Sequence, residues 1–216
     1  MSGQEFDRLR RAMVSNQLRT NSVADAAVLA VMETTPRETF VGEGQGALAY
    51  RDTIVPLGEG RNLNPPIATG RLLAAVKPLA GERALVIGAG TGYTAALLAA
   101  LGCHVTALEE SPMLSERAET ALAGSGVALV RGPLIAGWAP DAPYDIIFVD
   151  GAVERFPEAI VDQLRDGGRL AGAILDRGVT RLAVGRRANG GFGVSCFADV
   201  EVAALSGFAP APAFIF

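Results

Sequence analysis

Beyond Pro78 the chain alternates short apolar runs with stretches of helical period. The runs predict strands at 83–87, 103–108, 127–131, 144–149 and 168–175, and the stretches between them predict helices at 92–101, 112–123 and 157–165. Strand alternating with helix is the pattern of a parallel sheet wound on both faces. After Asp176 the helical period stops, and apolar segments at 180–187, 193–200 and 212–216 read as strands that complete the sheet. ANGG at 188–191 is a hairpin turn between the first two.

The first third of the chain reads differently. Phe6, Leu9, Met13 and Leu18 recur at helical spacing and predict one amphipathic helix over 4–19. Ser22 and Asp25 resemble a capping box that opens a second helix through Val28, Leu29 and Met32, and Pro36 stops it. From Phe40 to Asn64 glycines and prolines break any period, which predicts loops or short strands suited to covering a site. Asn64, Pro65 and Pro66 suit an N-cap and first turn, so a third helix is expected from there to about Val76.

The strand expected at 83–87 runs into Gly88, Gly90 and Gly92 and then a helix, which is a nucleotide-type cofactor loop. Alternate glycines let the backbone turn sharply and approach a ligand, and the helix start presents unpaired N–H groups. The next strand ends in Glu109, seventeen residues after Gly92, where a carboxylate suits ribose hydroxyls. Glu109 reads alternatively as an exposed carboxylate that favours the dipole of the helix after Pro112. A dinucleotide fingerprint wants glycine at position 93, where the chain has Tyr93, so the spacing fits S-adenosylmethionine (SAM) better than NAD.

Composition narrows the field. With 216 residues, 50% hydrophobic and 19% charged, the chain suits one α/β domain with a large core. A net charge of -4 offers no basic field for a phosphate backbone, so no nucleic-acid partner is expected. No uninterrupted apolar stretch of membrane length and no signal-peptide core are present, and no membrane association is expected. Cys103 and Cys196 form no zinc spacing and His104 is the single histidine, so no metal site is expected and a reducing, cytoplasmic setting is. Tyr50, Trp138 and Tyr144 read as core or rim aromatics before adenine platforms.

Several segments together resemble the protein-L-isoaspartate O-methyltransferase family: MVSNQLR at 13–19, VLAVMETTPRETFV at 28–41, AYRDTIVPLGEG at 49–60, IGAGTGYTAALLA at 87–99 and APYDIIFVDGAVERFPEAIVDQLRDGGRL at 142–170. The resemblance implies a Rossmann-like class I SAM methyltransferase: an α/β, doubly wound, mostly parallel seven-stranded sheet with an N-terminal helical extension. Residues 1–77 would form the extension and substrate-loop region, and 78–216 the SAM-binding core, within a single domain. It further implies methylation of isoaspartyl carboxylates in proteins or peptides, an in-line displacement in which an already ionised carboxylate needs no general base. Gly88, Gly90, Gly92 and Tyr93 would admit SAM, Glu109 would hold its ribose, and Asp150 is either a cofactor carboxylate or a strand-end cap. Asn64, aligned with the Ser of the family's Thr-Ile-Ser-Gln-Pro loop, would donate to the substrate carboxylate, or serve as a helix N-cap, or do both.

Three positions depart from the family's pattern. Val86 stands where an acidic residue precedes the glycine loop, Pro133 where a Gly-Asp-Gly offers its Asp to adenine, and Asn64 where the Ser faces substrate. Glu110 or Asp150 is a substitute source of carboxylate. These departures keep two other readings open: a family fold without methyl transfer that acts as a binding or regulatory module, and a SAM enzyme for a different carboxylate.

Overall fold

The computed structural model describes residues 2–208. Helix α1 (Gly3–Met13) is followed directly by a π-helical stretch, Val14–Leu18, and a 3-10 turn, Arg19–Asn21. The single regular helix expected over 4–19 is therefore three pieces. The wider π turn re-aims the apolar face, so that Met13, Val14 and Leu18 are all buried. Ser22 then sits in the left-handed region at φ 65° and ends the run. It is no part of a capping box. Asp25 alone caps α2 (Ala26–Thr34), its Oδ1 accepting from the backbone N–H of Ala27 at 2.9 Å and Val28 at 3.0 Å.

The irregular region holds one small hairpin, β1 (Val55–Gly58) antiparallel to β2 (Arg61–Leu63). Helix α3 (Pro66–Val76) follows, with Pro65 and not Asn64 at its N-cap. Proline is suited to a helix start, where an N–H has no intrahelical partner.

The sheet is then built in sequence by β3 (Arg83–Ile87), β4 (His104–Glu109), β5 (Ala128–Arg131), β6 (Tyr144–Val153), β7 (Leu164–Asp176), β8 (Val179–Ala188) and β9 (Gly191–Asp199). Helices α4 (Tyr93–Ala100), α5 (Pro112–Ala121) and α6 (Glu158–Val161) lie between the parallel strands. Spatial order is β5-β4-β3-β6-β7-β8-β9, parallel as far as β7 and antiparallel beyond it. This is the mostly parallel, seven-stranded, doubly wound sheet expected. Alternate residues of β3 divide between its faces: Ala84 and Val86 join the core under the N-terminal helices, and Leu85 and Ile87 join Tyr144, Ile147 and Leu170.

Two details differ from expectation, and the first is β6, which runs on to Val153 where an end at 149 is expected. The helix expected over 157–165 shortens to four residues, because β7 already begins at Leu164 and bulges through Gly167 (φ 78°) before pairing Arg169 with Ile146. The turn at 188–191 is as read, with Asn189 at φ 52° and Gly190 at φ 77°, both positive as a tight hairpin requires. The strand expected at 212–216 lies outside the described residues. Among those described, no helix is long and apolar enough to cross a membrane.

The chain winds outward through β3, β4 and β5, then crosses back to lay β6 on the other side of β3. In such sheets the crevice beyond the strand ends at this reversal is the place for a ligand.

Candidate cofactor and substrate site

The loop leaving β3 has Gly88, Gly90 and Gly92 at φ 76°, 58° and 100°. Each lies in the left-handed region, where a side chain is strained. Gly88 N and Ala89 N both donate to Leu108 O at 3.0 Å, drawing the loop against the end of β4. Gly92 begins α4 at close quarters: an added Cβ would stand 2.7 Å from Leu122 Cδ1.

At the end of β4, Glu109 is fully buried. The reading of it as an exposed carboxylate is therefore wrong. Its Oε2 accepts from Gly90 N at 2.7 Å, and its Oε1 accepts from Glu110 N at 2.9 Å, Ser111 N at 3.0 Å and Arg61 Nη1 at 2.9 Å. Three backbone donors and a guanidinium offset the cost of burying the charge. Arg61, on β2, was not among the residues singled out from sequence; it lies far from Glu109 along the chain and belongs to no motif.

A second buried polar group lies between β6 and the segment ahead of α3. Asn64 turns its side chain away from the helix: Nδ2 donates to Asp150 Oδ1 at 2.8 Å, and Oδ1 accepts from Ala203 N at 3.0 Å. Thr94 Oγ1 donates to Asp150 Oδ2 at 2.7 Å. Burial raises the Asp150 pKa above the usual carboxylate range, while the hydrogen bonds from Thr94 and Asn64 and the charges of Arg61 and Arg37 pull it back. Arg37 is itself wholly buried, its Nε donating to Ala49 O at 2.6 Å and its Nη2 to Asn64 O, with the guanidinium 4.5 Å from the centre of the Tyr93 ring. Tyr93 packs its ring edge-on against Phe40 with centroids 5.4 Å apart.

Asn64 and Asp150 are thus brought together, and Gly90 and Glu109 are brought together. Val86 lies in the core, paired in register with Ala107 and Phe148. Pro133 is exposed and leads a 3-10 turn, Leu134–Ala136. The aromatics have structural partners: Tyr50 Oη accepts from Arg10 Nε at 3.1 Å, and Tyr144 Oη donates to Trp138 O at 2.7 Å. Among the described residues no group of His, Cys, Asp and Glu is placed to hold a metal ion.

Two segments close over the glycine loop. The β1–β2 hairpin leans on the β4–α5 corner through Arg61 to Glu109, through Arg117 Nη1 to Leu57 O at 2.7 Å, and through Ser111 Oγ to the Glu59 carboxylate. Residues 202–205 run beside the end of β6, with Ala152 N donating to Ala203 O at 2.8 Å and Leu205 N donating to Ala152 O at 2.9 Å. As a result a Cβ placed on Gly88 would stand 2.7 Å from Arg61 Nη2 and 2.8 Å from Leu205 Cδ1. The backbone frame, three left-handed glycines beside a buried carboxylate at the reversal of the sheet, fits a nucleoside cofactor. Arg61 and Leu205 fill the space directly above Gly88.

The profile of the family described as Protein-L-isoaspartate(D-aspartate) O-methyltransferase (PCMT) matches residues 8–201. The chain belongs to this family. Among curated family members, Protein-L-isoaspartate O-methyltransferase 1 of Rhodopseudomonas palustris is 39% identical over 168 residues, 76% of this chain and 69% of that one. Protein-L-isoaspartate O-methyltransferase 2 of Marinobacter nauticus is 35% identical over 212 residues, covering 95% of this chain and 96% of its own. A crystal structure of a putative family member from Plasmodium falciparum, in complex with S-adenosyl-L-homocysteine, superposes with a TM-score of 0.80 at 20% identity, covering 92% of this chain and 98% of that one. That likeness concerns the fold, which is the Rossmann-like class I SAM methyltransferase fold with its N-terminal helical extension.

Proposed function

We propose that this family member is a SAM-dependent protein carboxyl O-methyltransferase of the L-isoaspartyl repair type. The observation that carries the reading is the family match over residues 8–201, which takes in the extension as well as the glycine loop. A generic SAM fold would match the core alone. When bound, SAM supplies a methyl group made electrophilic by its sulfonium. The backbone at Gly88, Gly90 and Gly92 and the N–H of Tyr93 are the groups that would hold it, with Glu109 as the ribose carboxylate.

The work left to the protein is alignment and exclusion of water. An isoaspartyl carboxylate is ionised at neutral pH and is itself the nucleophile. Asn64 Nδ2 carries two N–H groups; Asp150 accepts one, and the second is the donor offered to that substrate. Asp150 and Thr94 hold the amide's orientation, and Arg37 holds the Asn64 backbone from behind.

One observation favours a second reading, a family fold without methyl transfer: the closure of Arg61 and Leu205 over Gly88. Labelled methyl transfer from SAM to an isoaspartyl peptide, with the aspartyl peptide as control, separates them. Repair activity predicts base-labile label on the isoaspartyl peptide alone; no label on either peptide supports the second reading.

A further inference from the structure

We propose that Arg61 is a resident occupant of the cofactor cradle, and that its pairing with Glu109 sets how often the cleft admits SAM. Arg61 Nη1 is 2.9 Å from Glu109 Oε1, and Nη2 lies against Gly88. The guanidinium thus holds the carboxylate at the end of β4 and lies against the first glycine of the loop, the two sides of the cradle proposed for a nucleoside. The pair is buried on both sides, so solvent does little to loosen it.

Arg61 sits in a hairpin with further ties to the same corner. Leu57 Cδ1 is 3.1 Å from where a Cβ on Gly90 would be, and Met113 Cε is 3.0 Å from the corresponding point on Gly58. With Arg117 on Leu57 O and Ser111 on Glu59, the β1–β2 hairpin is held down along its length. SAM and Arg61 compete for one carboxylate and one patch of backbone, and SAM also brings a positive charge. Apparent affinity then falls by the fraction of molecules in which Arg61 has swung away. The inference rests on reading the cleft as a SAM site.

The test is calorimetric titration of S-adenosyl-L-homocysteine into the wild-type protein, Arg61→Gln and Arg61→Lys, with melting curves to establish that each is folded. If Arg61 is out of the cradle in about a tenth of wild-type molecules, Arg61→Gln binds about tenfold tighter, and Arg61→Lys falls between the two. In turnover the gain appears as a lower KM for SAM, which a purely structural role for Arg61 does not produce. Equal, measurable affinity in all three proteins overturns the role of Arg61 and leaves the cofactor site standing. Absence of binding in all three, folded, overturns both. Should Arg61→Gln melt early, Arg61→Lys alone decides, wild-type affinity overturning the proposal.

Discussion

Asn64 donates its side-chain amide to Asp150 across 2.8 Å and with the same side chain accepts from Ala203 N at 3.0 Å. One residue therefore joins the segment ahead of α3, the end of β6 and the segment that follows β9. Replacing Asn64 by Ala strips a donor from a carboxylate and an acceptor from a buried N–H. Each unsatisfied group costs about 1–3 kcal/mol, so Asn64→Ala is expected to lose roughly 2–4 kcal/mol of stability in urea denaturation. Methyl transfer is expected to fall more than cofactor affinity if, as proposed, the second N–H of Asn64 Nδ2 serves the substrate carboxylate.

Asp150 makes stability depend on pH in a particular direction. Its folded-state pKa is raised, so the folded protein holds that proton more tightly than the unfolded chain does. Wild-type stability relative to Asp150→Asn should therefore fall as pH rises from the unfolded value, about 4, through the folded value, and stay level above it. Parallel unfolding titrations of the two proteins check this; a gap that widens in favour of wild type with rising pH has the wrong sign.

Gly92 combines φ 100° with a Leu122 carbon 2.7 Å from any added Cβ. Gly92→Ala forces both backbone strain and a clash, and about 1–3 kcal/mol of destabilisation is expected from strain alone. Gly190, also at positive φ but with open space around it, isolates the conformational part of that cost in the same denaturation assay.

Glu109 and Arg61 are a buried pair, and removing one leaves the other uncompensated. Glu109→Ala is expected to cost about 3–5 kcal/mol. Adding Arg61→Met should recover part of that loss and not all of it, since the N–H groups of Gly90, Glu110 and Ser111 remain without their acceptor. A thermodynamic cycle over the four proteins measures the recovery.

Much of the sheet was legible because buried parallel strands are short apolar runs, as in ALVI of β3 and IIFV of β6. The glycine loop was legible for a different reason: positive φ at Gly88, Gly90 and Gly92 demands glycine by type, and type is what a sequence displays. Less visible was the π stretch at Val14–Leu18, since Met13, Val14 and Leu18 fit a helical stripe nearly as well before the wider turn re-aims them. Asn64 looked like an N-cap because two prolines followed it, yet its side chain has stronger partners in Asp150 and Ala203, which no local pattern reveals. Arg37 and Arg61 were missed for the same physical reason. A buried arginine is identified by its acceptors, and those of Arg61 lie across a tertiary contact between β2 and β4.

The most direct measurement is a 15N-edited NMR titration of the protein, wild type and Arg61→Gln, with S-adenosyl-L-homocysteine. A cofactor cleft at the reversal of the sheet predicts saturable shifts at the amides of Gly88, Gly90, Gly92 and Glu110, reached at lower ligand concentration in Arg61→Gln. Amides that stay unmoved in both proteins, or that move only at sites away from β3 and β4, would contradict it.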